Sequence, residues 1–313
     1  MSDSIYTVNV SSIQDFMTCR WRWVAKWVMN RVPRDEARPL RFGKLFHVIF
    51  EDYLTGKGTM PHCLHARRNE WLARAAATAD EDERRVALEA VEDLDSFAEP
   101  MCMWTDTYPF EIDTLECEVP FVIPHPMDDT ILLRGRPDRV GVMFGQTWHV
   151  QNRSLNAGTN FALYVDLARR NYHEHLYAEH IVKKYPQYPY GGTLFNLFRK
   201  LKYRSKPTKK EIEAGMLGKE LHTIDEMFWQ HPMVVALDSP IHYDVMAHIL
   251  NHAVNMRTIE QKVLNGYSWP APNERMNGGY YGNRIDEYYR VLTGEITLAN
   301  NVSFQDREDT YAV

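Results

Sequence analysis

Three separated stretches carry the residue types for chemistry on a hard cation. In "GKLFHVIFEDYL", His47 and Glu51 stand four apart, so on a helix they share one face a turn apart and both can reach one ion. Asp138 stands in "LRGRPDRV", and thirteen residues later "WHVQNRSL" sets Gln151 and Arg153 at the end of a run with a period of two, the mark of a strand with one buried face. Oxygen donors with one imidazole suit Mg²⁺ or Mn²⁺, whose open positions take phosphate and water. Each feature alone is ordinary, since a His and Glu on one helix face are commonly a surface pair and Asp after Pro is commonly a turn residue.

The elements that must position these groups follow from the pattern. "SSIQDFMTCRWRWVAKWVM" reads as a first helix, with Ser12 as N-cap and Asp15 at capping-box spacing. "LRFGKLFHVIFEDYL" repeats apolar residues at helical intervals and is the second helix, with Gly43 near its start. Residues 65 to 100 are alanine-rich and helical, and Pro100 and Pro109 punctuate a shift to strands. "TLECEVPFVI", "ILLRGRPDRVGVMF" and "TWHVQNRSL" read as three consecutive strands, followed by one helix across "YVDLARRNYHEHLYAEHIVKKY" and a strand in "GGTLFNLFRKL". From about residue 207 the pattern is mostly helical, clearest in "YDVMAHILNHAVNMRTIEQKVL", and the last fifty residues suggest an irregular wrap.

Order and spacing together resemble the RecB-like branch of the PD-(D/E)XK nuclease superfamily over roughly residues 8 to 205. "SSIQDFMTCRWRW" is similar to that branch's opening Ser-x-x-x-x-Phe/Tyr-x-x-Cys helix, "GKLFHVIFEDYL" to its Gly-x-x-x-His-x-x-x-Glu motif, and "GRPD" to its Gly-x-x-Asp strand. "VQNRS" falls where the family has an acid, any residue and a lysine, so Gln151 and Arg153 occupy the ligand and lysine positions. "HEHLY" falls at the branch's Gln-x-x-x-Tyr, matching at Tyr177 and departing at His173.

The resemblance implies an α/β fold with a restriction-endonuclease-like core, a mixed central sheet flanked by helices, and helical additions at both ends. One nuclease-fold domain would span residues 1–313, with a helical part to 100, the core at 101–206 and a helical extension at 207–313. It implies a divalent-metal-dependent DNA nuclease, an exonuclease acting on ends or single strands. His47, Asp138 and Gln151 would hold Mg²⁺ or Mn²⁺, Glu51 would restore the missing carboxylate, and Arg153 would stabilise the transition state. A guanidinium stays protonated and cannot serve as a base. Tyr177, His173 and the basic run with Arg199, Lys200, Lys202 and Arg204 would contact DNA. The alternative is a nuclease-fold DNA-binding or assembly protein that has lost hydrolysis, which Gln151 and Arg153 favour. Many relatives hold an iron–sulfur cluster on four cysteines. Only Cys19 matches, and "NERMNGGYYGNRIDEYYRVL" has none, so no cluster is expected.

Composition sets the wider bounds. The chain has 313 residues, 44% hydrophobic, ample for a core, and a net charge of -6 that leaves any pull on nucleic acid to local fields such as "RKLKYRSKPTKK". No apolar run reaches membrane-spanning length and the N-terminus lacks a signal pattern, so no membrane association and a cytoplasmic setting are expected. Four cysteines without a Cys-x-x-Cys pair argue against a disulfide framework. The local "HCLH" at 62–65 and the stripe of Asp244, His248 and His252 have no second half elsewhere and read as structural.

Overall fold

The strand expected in "TWHVQNRSL" lies at the centre of a five-stranded sheet and is buried on both faces from Thr147 to Asn152, not on one face as its alternation suggests. A computed structural model describes residues 5–33, 38–107, 112–216, 218–266 and 304–306. The chain begins with β1 (Tyr6–Asn9), α1 (Val10–Thr18), α2 (Arg20–Trp23), a π-helical turn (Val24–Val28) and β2 (Arg31–Pro33). Three long helices follow, α3 (Arg38–Leu54), α4 (Met60–Ala77) and α5 (Glu81–Thr107). Next come β3 (Asp113–Cys117), β4 (Phe121–His125), β5 (Asp128–Gly135), β6 (Arg139–Met143), β7 (Gln146–Leu155), α6 (Phe161–Ala168), α7 (Tyr172–Lys184) and β8 (Tyr190–Arg199). The remainder comprises α8 (Lys209–Glu213), α9 (Ile224–Met227), β9 (Phe228–Met233), α10 (Pro240–Leu264) and β10 (Phe304–Asp306).

The larger sheet has the order β3-β6-β7-β8-β9, with β7 and β8 parallel and the other pairs antiparallel. A second sheet has the order β1-β5-β4, with β1 parallel to β5, and β10 pairs with β2. One face of the larger sheet packs on α3 and α5 through Phe42, Phe46, Phe97 and Phe198, and the other on α6 and α7 through Val165, Ala178, Phe195 and Leu197. Mixed sheets flanked by helices are the architecture the sequence implies. None of the helices among the described residues is long and apolar enough to cross a membrane.

Several local readings are corrected. Asn9, not Ser12, caps the first helix, its Oδ1 accepting the Ser12 N–H at 2.8 Å. Asp15 is no capping-box partner; it accepts from Lys26 Nζ and Trp27 Nε1, each at 2.8 Å, and from Arg22. The helix stops at Thr18 because Cys19 is extended. Pro100 does not end a helix but lies inside α5. The single helix expected after β7 is two, because Asn171 caps α7 by accepting the His173 N–H at 3.0 Å. β9 is a strand within the region expected to be helical, and its Pro232 suits a sheet edge, where a missing N–H costs no ladder bond. The expected irregular C-terminal wrap lies outside the described residues, apart from β10.

The most consequential correction concerns the strands before β7. "TLECEVPFVI" breaks at Glu118, which adopts φ +53°, and "ILLRGRPDRVGVMF" breaks across Arg136–Asp138, where Pro137 has no N–H to give a ladder. The breaks are level: pairing of β3 with β6 ends at Cys117 opposite Arg139, and pairing of β4 with β5 starts at Phe121 opposite Gly135. The Glu118 N–H donates to the Asp138 carbonyl at 3.2 Å and joins them.

Gly135 leads into this break under two rings. A Cβ there would lie 2.6 Å from Tyr177 and 2.7 Å from Phe121, so Gly135→Ala should destabilise the fold by about 1–3 kcal/mol. At Gly43, inside α3, a Cβ would meet only Ser154 Oγ at 3.8 Å, and Gly43→Ala should be neutral or stabilise by up to about 1 kcal/mol. Urea unfolding checks both; equal midpoints for the two variants would contradict the packing described.

Candidate metal centre

Among the described residues, one group of imidazole and carboxylate side chains converges tightly enough to hold an ion. His47, Glu118 and Asp138 each offer a ligand atom, all within 4.8 Å of one another. His47 comes from the middle of α3, and the two acids come from the paired strand break. His47 Nδ1 lies 3.5 Å from Asp138 Oδ2, and the Asn152 N–H of β7 donates to that same oxygen at 2.8 Å. Arg136 Nε pairs with Glu118 Oε2 at 2.9 Å.

Burial sets the protonation of this group. It is the largest influence on Glu118, and the negative charges of Asp138 and Glu51 add to it against Arg136 and Arg153, so the carboxyl is pushed up to about 8. Burial pushes His47 down, which Asp138 opposes and Arg153 and Arg136 reinforce. Burial also works against the Asp138 carboxylate, yet His47, Arg153, His149 and the Asn152 N–H outweigh it and hold the group below its ordinary value. At neutral pH the ion-free group therefore comprises one carboxylate, one imidazole with a free lone pair, and one acid that still holds its proton.

Gln151 supplies the observation on which a further ligand rests. Its side chain lies on the β7 face between His149 and Arg153, whose charges act on Asp138, and the residue is 1% exposed. Neither its Oε1 nor its Nε2 has a hydrogen-bond partner among the described residues. A buried amide without partners is costly unless something else satisfies it, and its carbonyl oxygen is a proper ligand for a hard cation. Arg153 forms no ion pair with a carboxylate among the described residues, and its charge acts on the nearby Tyr164 hydroxyl. Burial alone would lower Arg153, but Asp138, Tyr164, Glu174 and Tyr177 raise it, so it is a fixed cation.

Sequence reasoning missed Glu118. Glu51 was expected to supply the extra carboxylate, but it lies outside the group of three and acts on Glu118 only through its charge. The available signal was the Glu-Val-Pro of "LECEVP", an acid two residues before a proline, with Pro-Asp in the neighbouring run. Also unforeseen is the buried pair beneath the site, where Glu174 Oε2 accepts from Thr193 Oγ1 at 2.6 Å and lies 3.3 Å from His149 Nδ1.

The residues expected to meet DNA divide. Tyr177 is buried, with its hydroxyl donating to the Arg136 carbonyl at 3.2 Å, so it supports the loop before Asp138 instead of facing solvent. Half-buried His173 is pushed down to about 3, by burial first and then by Arg153, and stays neutral. Arg204 is committed to Glu99, at 2.6 and 2.7 Å, and to Glu220, which removes it from the basic run as a free cation. Arg199 lies over the Phe161 ring at 4.2 Å, Lys200 over Phe42 at 4.4 Å, and Lys202 is exposed. Cys19 is buried and accepts the Arg22 N–H, while His248 and Asp244 form only a loose surface pair at 3.8 Å.

The model of the PD-(D/E)XK nuclease superfamily matches residues 7–152, a little under half of the chain and a span that holds His47, Glu118, Asp138 and Gln151. Mixed sheets flanked by helices are consistent with such a core, and that superfamily uses divalent metals. No curated protein matches the chain significantly.

The raised carboxyl of Glu118 gives a pH dependence with a definite sign. Below about pH 8 the ion-free protein holds a proton there that a cation must displace, so Mn²⁺ affinity should rise by about tenfold per pH unit between roughly pH 6 and 7.5 and level off above. Calorimetry in buffers of different ionisation heat should record about one proton released per ion at pH 6.5, and Glu118→Gln should bind more weakly with a flat profile. A wild-type affinity independent of pH would contradict the assignment.

Proposed function

We propose that this chain is a RecB-like PD-(D/E)XK enzyme, a divalent-metal-dependent nuclease that hydrolyses DNA, working as an exonuclease in DNA processing or recombination. The observation that carries this reading is the convergence of His47, Glu118 and Asp138 beside the partnerless amide of Gln151. His47, Glu118, Asp138 and Gln151 Oε1 would hold one Mg²⁺ or Mn²⁺, a set of hard oxygen donors with one imidazole. When bound, the ion would supply Lewis-acid polarisation of the phosphate and ease loss of a proton from the attacking water.

The side chains divide the remaining work. Asp138, already ionised and fixed by the Asn152 N–H, is the anchor of the ion, and Glu118 adds the second negative charge once its proton leaves. Arg153, a cation with no carboxylate pairing, stabilises the charge that builds on the phosphate oxygens and takes no part in proton transfer. His47 stays neutral and presents its lone pair. A second reading, a DNA-binding or assembly protein without hydrolysis, draws on Gln151 and Arg153 standing where the resembling branch has an acid and a lysine.

Incubation of end-labelled single- and double-stranded DNA with Mg²⁺ or Mn²⁺, with and without chelator, separates the two readings. Cleavage that requires metal and is abolished in folded Asp138→Ala is the expected result. Arg153→Lys should retain much of the activity, Arg153→Met should lose about 10²–10³-fold, and Gln151→Glu should tighten metal binding. Binding that persists in chelator, with no cleavage by any variant, would establish the second reading instead.

A further inference from the structure

We infer that a nucleotide-stacking subsite, distinct from the ion-holding residues, is built from Arg199, Phe161, Trp229 and His231, and that it receives an unpaired stretch of DNA strand. The inference deepens the nuclease reading by naming the form of its substrate and rests on that reading for its role. Trp229 stacks on Phe161, with centroids 5.6 Å apart and planes 16° apart, and on His231, at 4.7 Å and 22°. The Arg199 guanidinium carbon lies 4.2 Å from the Phe161 centroid, which continues the column with a cation. All four residues are half-buried, so the column is held by packing while part of each residue stays in solvent.

The register places this column beside the ion-holding group. Arg153 of β7 is opposite Leu197 of β8, and Leu197 is opposite Trp229 of β9, so Arg153 and Trp229 lie in one row on the same sheet face, two strand spacings or about 10 Å apart. Gln151, Phe195 and His231 form the next row. Arg199 lies two residues beyond Leu197 on that face, about 8 Å from Arg153 between Cα positions. The same helix serves both places, since Phe161 of α6 carries Arg199 and Tyr164, one turn on, lies within reach of the Arg153 charge.

Arg199 argues for an anionic occupant. It forms no ion pair with a carboxylate among the described residues and its buried Nε has no partner there, in contrast to Arg204 five residues later, which two glutamates neutralise. A cation positioned by an aromatic face suits a backbone phosphate, and the His231 end of the column suits a base, since Phe161 and Trp229 each already stack against two neighbours. In a duplex the bases stack on each other and their faces are closed to such a column, so an unpaired segment is the fitting occupant.

The test is fluorescence anisotropy of the full chain, in chelator, with a labelled oligo-dT of about 12 nucleotides and a blunt duplex of equal length. The wild type should prefer the single strand. Trp229→Leu should weaken that binding about 10-fold or more, Trp229→Phe should keep most of it, and Arg199→Ala should weaken it and flatten its salt dependence by about one ion. Should Trp229→Leu fail to fold, His231→Ala carries the same prediction. Wild-type affinity for oligo-dT in Arg199→Ala together with either ring variant, or a wild type that prefers the blunt duplex, would overturn the subsite. The chelator keeps hydrolysis out of the measurement: a wild type that never cleaves DNA with metal ends the nuclease reading, whereas unaltered binding in the variants ends the subsite alone.

Discussion

Two adjacent strands break at the same level, and the candidate centre depends on that coincidence. Glu118 leaves its strand through a positive φ, Asp138 leaves the neighbouring strand behind a proline, and one hydrogen bond from the Glu118 N–H to the Asp138 carbonyl holds the two breaks together. A regular ladder would direct the two acids by the pleat alone, to whichever face their position dictated. The break frees them to converge on His47, while Tyr177 braces the loop by donating to the Arg136 carbonyl. Gly135 is needed at the entrance because the Phe121 and Tyr177 rings leave no room for a Cβ.

Convergence of two buried acids has an electrostatic cost that fixes the rest of the local design. One acid keeps its proton without an ion, and the other keeps its charge because a backbone N–H and nearby cations favour it. Gln151 makes sense in this setting. A third carboxylate there would add another buried negative charge to an ion-free centre that already protonates Glu118, whereas an amide can lend a carbonyl oxygen without repulsion. Glu118 thus brings a second acid to His47 and Asp138 from outside β7.

Much of this was legible in the sequence. The α/β class, the helix bearing His47 and the strand bearing Gln151 and Arg153 follow from periodicity, and Asp138 stands out beside Pro137. Glu118 was hidden because it sits within a run that reads as one continuous strand, and only the pairing of two breaks gives it a role. Glu51, a turn beyond His47, looked equivalent because helix spacing says which residues share a face but not how deep into a neighbouring element each one reaches. Tyr177 is expected at DNA from a motif match and Arg204 from a basic run, and neither signal carries the tertiary facts that the ring is buried and the guanidinium is held by two glutamates. Conversely, Trp229 and His231 carry no sequence signal, since their strand was hidden in a region of helical composition.

One ion in one place is the direct consequence of this geometry. Anomalous scattering from crystals of the full chain soaked in Mn²⁺ at about pH 8, where the Glu118 proton no longer competes, should reveal a peak bounded by His47, Glu118, Asp138 and the Gln151 carbonyl oxygen, and that peak should vanish in Asp138→Ala. A well-ordered His47, Glu118 and Asp138 group with no peak, or a peak that survives in Asp138→Ala, would contradict it.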